Sequence, residues 1–205
     1  MYARGGKRVF DRVGAAALLV VTAPLQLVVG LVVRATLGRP VLLRQPRIGL
    51  HGRTFILFKF RTMRPDRRDP GRRQYAGVDR RSGLPSLDDP RHTRIGVVLR
   101  RWSLDELPQL FNVLCGDMSL VGPRPEMVES VRRYLPWQLE RHSVRPGITG
   151  VWQVDGRHTT PDLLDYAAED VAYVRSLSFL TDLHLILRTP AALVRRPAPS
   201  PLLPT

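Results

Sequence analysis

The segment VGAAALLVVTAPLQLVVGLVV, from Val13 to Val33, decides the fold, because it is a run of 21 residues without a charge. As a straight α-helix it would be about 31 Å long, which matches the roughly 30 Å of hydrocarbon in a bilayer. The segment has no polar face, so it differs from the amphipathic helices that pack on a soluble core. It therefore predicts a membrane helix.

Pro24 lies near the middle of this segment and predicts a break in the helix. Its ring clashes with the carbonyl four residues earlier, and it has no N–H to donate. The two arms, Val13–Ala23 and Leu25–Val33, would be about 16 and 14 Å long, so each reaches about halfway across. Thr22 and Gln26 flank the break and could bond the freed backbone groups.

Basic residues flank the apolar segment on both sides. Those before it are Arg4, Lys7, Arg8 and Arg12, and those after it are Arg34, Arg39, Arg44 and Arg47. The positive-inside rule places both flanks on the cytoplasmic side. Together with the central proline, they favour a re-entrant helix and a monotopic protein of the cytoplasmic membrane, with the rest of the chain on the cytoplasmic face. A kinked full span and a cleaved signal peptide are the alternatives.

The net charge of +14 comes almost entirely from arginine, since only Lys7 and Lys59 are lysines. Arginine binds phosphate and carboxylate as a planar fork, so nucleic acid, lipid headgroups or a phosphorylated metabolite are the expected partners. A hydrophobic content of 43% excludes a globally disordered chain. The single cysteine, Cys115, excludes an intrachain disulfide and a cysteine-cluster metal site.

Beyond the membrane segment, the sequence predicts an α+β fold that is mostly helical. Val41–Gln45 and Thr54–Phe60 have the pattern of a short β-hairpin. Helical periodicity dominates from Ile95 onward, and we expect further helices to begin at GPRPE, Gly122–Glu126, and at Thr160. The predicted organisation is a membrane helix in residues 1–40, a compact helical domain in 41–190 with a long polar loop at 64–90, and a proline-rich tail in 191–205.

Two adjacent carboxylates, Asp105 and Glu106, stand out in WSLDELPQL. One interpretation is structural: Ser103 and Glu106 fit the S-x-x-E capping box at a helix start, and acids there suit the helix dipole. Alternatively, Asp105 is the cap and Pro108 lies in the first turn. Both interpretations make the pair a device for starting a helix.

The surrounding arginines favour chemistry at the same pair. Arg91, Arg94, Arg100 and Arg101 precede it and Arg124 follows, a density suited to several phosphates. Carboxylates beside phosphates repel each other unless a cation lies between them. Magnesium held by one or two acids and by substrate phosphates is the usual solution, so we expect a Mg²⁺-dependent phosphate site.

Four segments, KFRTM, SLDELPQLFNVL, GDMSLVGPRP and RPGITGVWQVDGR, resemble the bacterial sugar transferase family, the monotopic phosphoglycosyl transferases. The resemblance extends from about Lys7 to Thr189 and includes the membrane helix broken at a proline. It implies transfer of a sugar-1-phosphate from a UDP-sugar to undecaprenyl phosphate or another polyprenyl phosphate, with release of UMP. This reaction would be the first membrane step of exopolysaccharide, capsule or glycoconjugate biosynthesis.

The resemblance also implies roles for individual residues. Asp105 would be the nucleophile that forms a covalent phosphosugar, and Glu106 its catalytic partner, with both close to Mg²⁺. The implied phosphate-binding residues are Arg100, Arg124 and Lys59, and the implied nucleotide-sugar residues are Arg145, Arg157 and Asp170. Of these, Arg100 suits the polyprenyl phosphate.

This chain departs from the family pattern at several positions. Trp102 replaces a small or polar residue, Cys115 a lysine, Asp155 an asparagine or serine, and Ala172 an aromatic residue. The added carboxylate of Asp155 could alter specificity. The sequence does not reveal which sugar is transferred.

Two other classes of protein are compatible with a basic chain, namely a nucleic-acid-binding module and a catalytically inert membrane adaptor. Aromatic residues are only 7% of the chain, and it contains no nucleic-acid-binding motif, so we do not expect nucleic acid as a partner. The expected partners are a UDP-sugar, a polyprenyl phosphate and membrane lipid. A homodimer is left open.

Overall fold

A computed structural model describes residues 2–64, 91–155 and 163–194 of the chain. Its α-helices are α1 (Lys7–Leu37), α2 (Arg94–Arg101), α3 (Gln109–Cys115), α4 (Val128–Val131), α5 (Val151–Val154), α6 (Leu163–Arg175) and α7 (Phe179–Val194). Its strands are β1 (Leu42–Ile48), β2 (Thr54–Phe60), β3 (Ser119–Val121) and β4 (Gly147–Thr149). The described chain is therefore mostly helical with small sheets, as the sequence predicts.

Helix α1 continues through Pro24, so the predicted division into two helical arms is corrected to one helix with a proline inside it. At 31 residues its path is about 46 Å. The Thr22 hydroxyl donates to the Leu18 carbonyl at 2.6 Å, and Gln26 Nε2 donates to Thr22 Oγ1 at 3.0 Å. A proline removes only one hydrogen bond of the helical ladder, and these side chains reinforce the backbone beside it.

One face of α1 packs against the rest of the protein along the whole helix. Its buried or half-buried positions include Asp11, Ala15, Leu19, Thr22, Gln26, Val29 and Val33. Spacings of three and four residues define a single helical face. The opposite face is apolar and exposed, with 75% of Val21 and 65% of Leu27 accessible. Among the described helices, α1 alone is long and apolar enough to cross a membrane, and only 11% of its most apolar window is buried.

A buried carboxylate, Asp182 of α7, anchors the N-terminal end of α1. Lys7 forms an ion pair with Asp182, and the hydroxyls of Tyr2 and Tyr173 each donate to it at 2.6 Å. Asp182 is 0% exposed, so these three donors replace the water that its charge would otherwise require. Lys7 therefore supports the fold rather than facing lipid headgroups.

The C-terminal end of α1 is anchored to the same folded body. Arg61, which follows β2, donates to the carbonyls of Leu37 and Arg39. Val33 of α1 packs with Phe60 in a small apolar cluster. Both ends of the apolar helix are thus bound to one body.

Strands β1 and β2 form the predicted antiparallel hairpin, with a register running from Leu42 opposite Phe60 to Ile48 opposite Thr54. Strand β2 has the predicted bounds, whereas β1 extends beyond the predicted Gln45. The additional residues of β1 pair with residues 54–56 of β2, and the Ile48 amide also donates to the Glu126 carbonyl at 2.9 Å. This bridge ties the hairpin to the GPRPE segment.

Strands β3 and β4 are parallel, and they bring GPRP against RPGITG through close contacts between glycine backbones. A Cβ on Gly147 would lie 2.1 Å from the Gly122 amide nitrogen, and one on Gly150 would lie 2.2 Å from the Gly122 carbonyl oxygen. No side chain fits at these distances. The glycines therefore allow two distant segments to meet backbone to backbone beside the acid pair.

Two other predictions about helices need correction. The segment Gly122–Glu126 does not begin a helix, because Glu126 forms the bridge to Ile48, and α4 starts only at Val128. Helix α7 continues past the predicted boundary at 190, with Pro190 inside it. Residues 65–90 of the polar loop, the predicted helix start at 160–162, and residues 195–205 of the tail lie outside the described ranges.

Candidate active site

The acid pair lies in a short 3₁₀ turn, Leu104–Glu106, between α2 and α3. The capping-box prediction is wrong, because Ser103 has φ +53° and its side chain makes no capping hydrogen bond. In this left-handed conformation the chain reverses after α2, and the Glu106 amide bonds instead to the Ser103 carbonyl at 3.1 Å. The alternative prediction, a cap by Asp105, is also wrong. Helix α3 begins at Gln109, so Pro108 occupies the N-cap position, and no side chain makes a capping hydrogen bond there.

Asp105 is buried, with 7% of its surface exposed. The nearby charges of Asp105 and Glu106 favour the protonated form of Lys59, a half-buried residue of β2. Burial is the larger effect and, with the positive charges of Arg47 and Arg124, it lowers the pKa of Lys59 from 10.5 to about 8. The site therefore places the buried Asp105 near Lys59, whose charge changes close to neutral pH.

Glu106 has a different environment, since its Oε1 lies 3.3 Å from Arg124 Nη1 in an ion pair. The Arg124 guanidinium also lies over the Trp152 ring, 5.3 Å from its centroid. The buried Arg141 donates a hydrogen bond to the Arg124 carbonyl at 3.1 Å and so fixes the backbone of the GPRP segment. Both carboxylates thus lie near Lys59, and Glu106 in addition forms an ion pair with Arg124, which is consistent with separate roles.

Arg100, in the last turn of α2, reaches toward the same region. Its Nη1 donates to the Thr62 hydroxyl at 3.3 Å. The Thr62 carbonyl in turn accepts from the Thr93 hydroxyl at 3.1 Å. Gly96 permits this packing, because a Cβ there would lie 1.8 Å from the Thr62 carbonyl oxygen. The contacts at Thr62 therefore join α2, which carries Arg100, to the chain just after β2, which carries Lys59.

The two implied nucleotide-sugar residues that the structure describes, Arg145 and Asp170, have separate surroundings. Asp170 is 1% exposed and forms a buried ion pair with Arg141, which also pairs with Glu126 at 2.7 Å. Arg145 Nε donates to the Gly116 carbonyl at 2.7 Å, at the C-terminal end of α3. The structure thus places Asp170 in a buried network and Arg145 at a helix end, and Arg157 lies outside the described residues.

Two departures from the family pattern have clear surroundings. Asp155 accepts hydrogen bonds from both terminal nitrogens of Arg188 on α7, one of them at 3.1 Å. Trp102 is 47% exposed, and the Arg101 guanidinium lies 5.9 Å from its ring centroid. The added carboxylate is therefore neutralised at the surface, whereas the added indole lies directly beside the acid pair.

A cavity of about 310 Å³ opens beside the acid pair, between α1 and α7. Glu106 and Trp102 line it on one side, and Leu18 of α1 and Leu193 of α7 are among the apolar residues around it. Most of its lining residues are apolar. The acid pair is consequently placed where a charged site meets an apolar compartment.

Sequence reasoning missed Thr62 and Trp152 as neighbours of the phosphate-binding arginines. Both belong to segments on which the family resemblance rests, KFRTM and RPGITGVWQVDGR, so their position in shared motifs was the available signal. The contacts themselves depend on how β2, α2 and α5 pack. No sequence spacing could indicate them.

Comparisons with known proteins identify the family of this chain. The profile of a family described as bacterial sugar transferase matches residues 2–196. The chain belongs to this family, and it is an enzyme of the phosphoglycosyl transferase class.

Several curated relatives are similar over most of this chain. The uncharacterized sugar transferase EpsL of Bacillus subtilis is 43% identical over 89% of this chain and 84% of its own length. A UDP-glucose:undecaprenyl-phosphate glucose-1-phosphate transferase of Caulobacter vibrioides is 40% identical over 92% of this chain and 69% of its own. An undecaprenyl-phosphate galactose phosphotransferase of Salmonella typhimurium is 35% identical over 93% of this chain. The match covers only 40% of that longer relative.

Proposed function

We propose that the protein transfers a sugar-1-phosphate from a UDP-sugar to undecaprenyl phosphate or another polyprenyl phosphate and releases UMP. One observation carries the proposal: next to the buried Asp105, Glu106 forms an ion pair with Arg124 and also lines a mostly apolar cavity between two helices with exposed apolar faces. This arrangement suits a reaction between a charged nucleotide and a lipid phosphate. The names of the Caulobacter and Salmonella relatives describe such reactions.

Asp105 is the nucleophile in this proposal. Its carboxylate oxygen forms a bond to the β-phosphorus of the UDP-sugar, while the bond from that phosphorus to the bridging oxygen breaks. UMP leaves with the bonding electrons, and Asp105 carries the sugar phosphate as an acyl phosphate. An oxygen of the lipid phosphate then attacks the same phosphorus and releases the Asp105 carboxylate. The transfer is thereby divided into two easier displacements, so the UDP-sugar and the lipid phosphate need not react with each other directly.

The neighbouring cations make a weak nucleophile effective. A carboxylate and a diphosphate repel each other, so the approach needs positive charge at fixed positions. Lys59 and Arg124 both lie near the acid pair and supply it, and Arg100 would bind the lipid phosphate. Glu106, held by Arg124, positions the reacting phosphate rather than attacking it.

Asp105 and Glu106 are also the residues that would hold Mg²⁺. Within residues 2–64, 91–155 and 163–194, no group of three or more histidine, cysteine or acidic side chains could hold a metal ion. Two carboxylates fit Mg²⁺ nevertheless, because it is commonly bound by one or two acids plus substrate phosphates. When bound, the ion would neutralise charge between the carboxylates and the diphosphate.

The anchoring of α1 supports a monotopic, re-entrant attachment to the membrane. Lys7 at one end and Leu37 at the other are both bonded to the same body, whereas a helix crossing the bilayer would carry one end to the far side. Arg8, Arg12 and Arg34 are exposed near these ends, and positive flanks favour the cytoplasmic side. We infer that both ends of the helix stay on the cytoplasmic face and that its exposed apolar face lies in lipid.

The decisive experiment measures UMP. Purified full-length protein in nanodiscs is incubated with Mg²⁺, undecaprenyl phosphate and a panel of UDP-sugars. We expect UMP and a lipid-linked sugar diphosphate from at least one sugar, and a loss of at least about a thousandfold in Asp105→Asn. Without the lipid, intact-mass analysis should detect a phosphosugar adduct on the wild type alone.

Two outcomes would contradict the proposal. Failure of every UDP-sugar to give UMP would favour an inert membrane adaptor, and undiminished turnover by Asp105→Asn would remove the covalent step. The sugar panel also addresses specificity, since the relatives' names include both glucose and galactose. The product would supply exopolysaccharide, capsule or glycoconjugate assembly.

A further inference from the structure

Three arginines from two distant segments come together near the C-terminal end of α3. Arg145 Nε donates to the carbonyl of Gly116, the residue that ends this helix, at 2.7 Å. A Cβ on Gly116 would lie 3.5 Å from Arg12 Nη2, so the Arg12 guanidinium reaches the same residue. Arg8 precedes Arg12 by four residues on α1, which places both side chains on one side of that helix. We call Arg8, Arg12 and Arg145 the arginine cluster.

The arginine cluster carries more positive charge than its acidic neighbours offset. Burial lowers the pKa of Arg145, and the charges of the other two arginines lower it further. Two acids act in the opposite direction, Asp11 and Asp117. Asp11 is buried, and Lys7 lies 3.9 Å from it, so its charge is already shared with another cation. The acids are therefore outnumbered, and the cluster is suited to an anionic ligand.

The two arginines of α1 are available to such a ligand. Arg8 and Arg12 are exposed, whereas Arg145 is half-buried. In the part of the chain that the structure describes, neither exposed side chain takes part in an ion pair or a hydrogen bond. Two like charges one turn apart on a helix repel each other. An anion bound between them would relieve this repulsion and accept charge-assisted hydrogen bonds from the guanidiniums.

Exposed apolar residues beside the cluster indicate which anion it meets. Val9 and Val13 each follow an arginine of the cluster in sequence and are 64% and 65% exposed. Val20, which is 76% exposed, lies seven residues after Val13 and so extends the same apolar face. Basic residues directly beside the apolar face of a helix are typical of surfaces that bind anionic lipid headgroups.

The arginine cluster and the acid pair lie at opposite ends of α3. Asp105 and Glu106 precede this helix, and Gly116 follows it. The seven residues of α3 extend over about 10 Å. An anion at the cluster would therefore be a second ligand, separate from the phosphates that react at the acid pair.

We propose that the arginine cluster binds the phosphate of an anionic phospholipid headgroup at the N-terminal end of α1. The inference goes beyond the transfer reaction, and it rests on the membrane attachment proposed for α1. The headgroup would bridge α1 and the RPGITG segment, since the cluster has members on both. Because the bilayer keeps the headgroup phosphate beside the cluster, its effective concentration there is far above that of soluble phosphate.

The test measures which phospholipids stay bound, so it needs no turnover. Full-length protein is placed in nanodiscs of equal parts phosphatidylglycerol and phosphatidylcholine, and native mass spectrometry measures the lipids that it retains on release. We expect phosphatidylglycerol to be retained at least about tenfold over phosphatidylcholine, because each arginine at an anionic surface adds roughly fivefold. A high-salt wash before release should weaken this preference, since salt screens exposed charges.

A charge-matched pair of double variants tests the assignment to these arginines. Arg8→Gln/Arg12→Gln removes two charges from the cluster and should reduce the preference at least about tenfold. Arg132→Gln/Arg133→Gln removes the same charge from two exposed residues after α4 and should retain the wild-type preference. Both variants should still form the phosphosugar adduct without acceptor lipid, because neither changes a residue of the acid pair.

The outcomes separate this inference from the proposed reaction. Equal retention of the two lipids, or an equal loss of preference in both double variants, would overturn the headgroup site. Failure of the protein to enter nanodiscs would contradict both the membrane attachment and this site. Normal retention without UMP release from any sugar would support the headgroup site and contradict the transfer reaction.

Two further measurements distinguish a lipid headgroup from soluble phosphates. Millimolar inorganic phosphate or UMP should leave the retained phosphatidylglycerol in place, and its displacement would assign the cluster to a soluble ligand. The KM for the UDP-sugar should be the same in Arg8→Gln/Arg12→Gln and wild type. A rise of about tenfold or more with unchanged lipid retention would assign the cluster to the nucleotide and overturn the inference.

Discussion

Arg124 Nη1 lies 3.3 Å from Glu106 Oε1, although 18 residues separate them in the chain. The guanidinium is held between this carboxylate and the Trp152 ring, while Arg141 fixes the Arg124 carbonyl. A cation with so many contacts has little freedom to move during the reaction. Its position is therefore preorganised for a phosphate that arrives beside Glu106.

Replacing Arg124 by glutamine should lower kcat/KM about 10- to 100-fold, because a charge-assisted hydrogen bond contributes about 1.5–3 kcal/mol. Steady-state UMP release with varied UDP-sugar measures the change. Arg175→Gln is the matched control, since Arg175 pairs with Glu140 at the exposed surface. Equal kinetics for the two variants would remove Arg124 from the site.

The activity should depend on the protonation of Lys59. Burial lowers the pKa of Lys59 to about 8, so its positive charge is present below that pH and lost above it. At pH 9 only about one molecule in ten keeps the charge, and the KM for the UDP-sugar should rise up to about tenfold.

Lys59→Arg should abolish this rise, because arginine stays protonated over the whole range. The measurement is KM for the UDP-sugar from pH 6.5 to 9.5 in both proteins, under saturating lipid. If the two profiles coincide above pH 8, Lys59 does not supply the charge.

Acid should destabilise the fold through His142. Burial, helped by the positive charge of Arg141, lowers the pKa of His142 from 6.5 to about 4. Between these two pH values His142 is protonated in the unfolded chain but neutral in the folded protein. The free energy of unfolding therefore decreases as the pH drops from about 6.5 to about 4, by up to roughly 3 kcal/mol. Thermal melts of wild type and His142→Gln over this range should converge at low pH, and parallel curves would contradict the effect.

The close backbone contact between Gly122 and Gly147 should tolerate no side chain. In Gly147→Ala the new Cβ would lie 2.1 Å from the Gly122 nitrogen, so the two segments must separate. We expect a loss of several kcal/mol, on the scale of severe core overpacking, measured by chemical denaturation. Gly5→Ala is the control, because nothing lies within 4 Å of a Cβ there.

Asp182 should be needed to hold α1 in place. Asp182→Asn removes the nearer of the two carboxylates that neutralise the buried Lys7, leaving Asp11 at 3.9 Å, and should cost about 3–5 kcal/mol. Faster proteolysis near the N-terminus and a lower Tm would report it. Glu140→Gln breaks an exposed pair and should change neither, so similar effects of both substitutions would argue against a specific anchor.

The sequence determined the long apolar helix, the hairpin and the acid pair, because each is a local pattern. An uncharged run of 21 residues is long enough to match the bilayer hydrocarbon, and the aromatic-rich run TFILFKF of β2 favours a strand. The shared motifs also placed Asp105, Glu106, Lys59, Arg100 and Arg124 in one site before any contact was known. The capping box failed because Ser103 adopts a left-handed conformation, and packing rather than local propensity decides such a turn.

Only the tertiary structure decided how the two carboxylates differ. Asp105 and Glu106 are adjacent in sequence and both lie near the half-buried Lys59 of β2, but Asp105 is buried and Glu106 forms an ion pair with Arg124 of the GPRP segment. It also decided that Asp170 is buried with Arg141 and that Lys7 pairs with Asp182. These pairs join residues 29 and 175 positions apart, and a charge in the sequence does not specify which distant charge will neutralise it once both are removed from water.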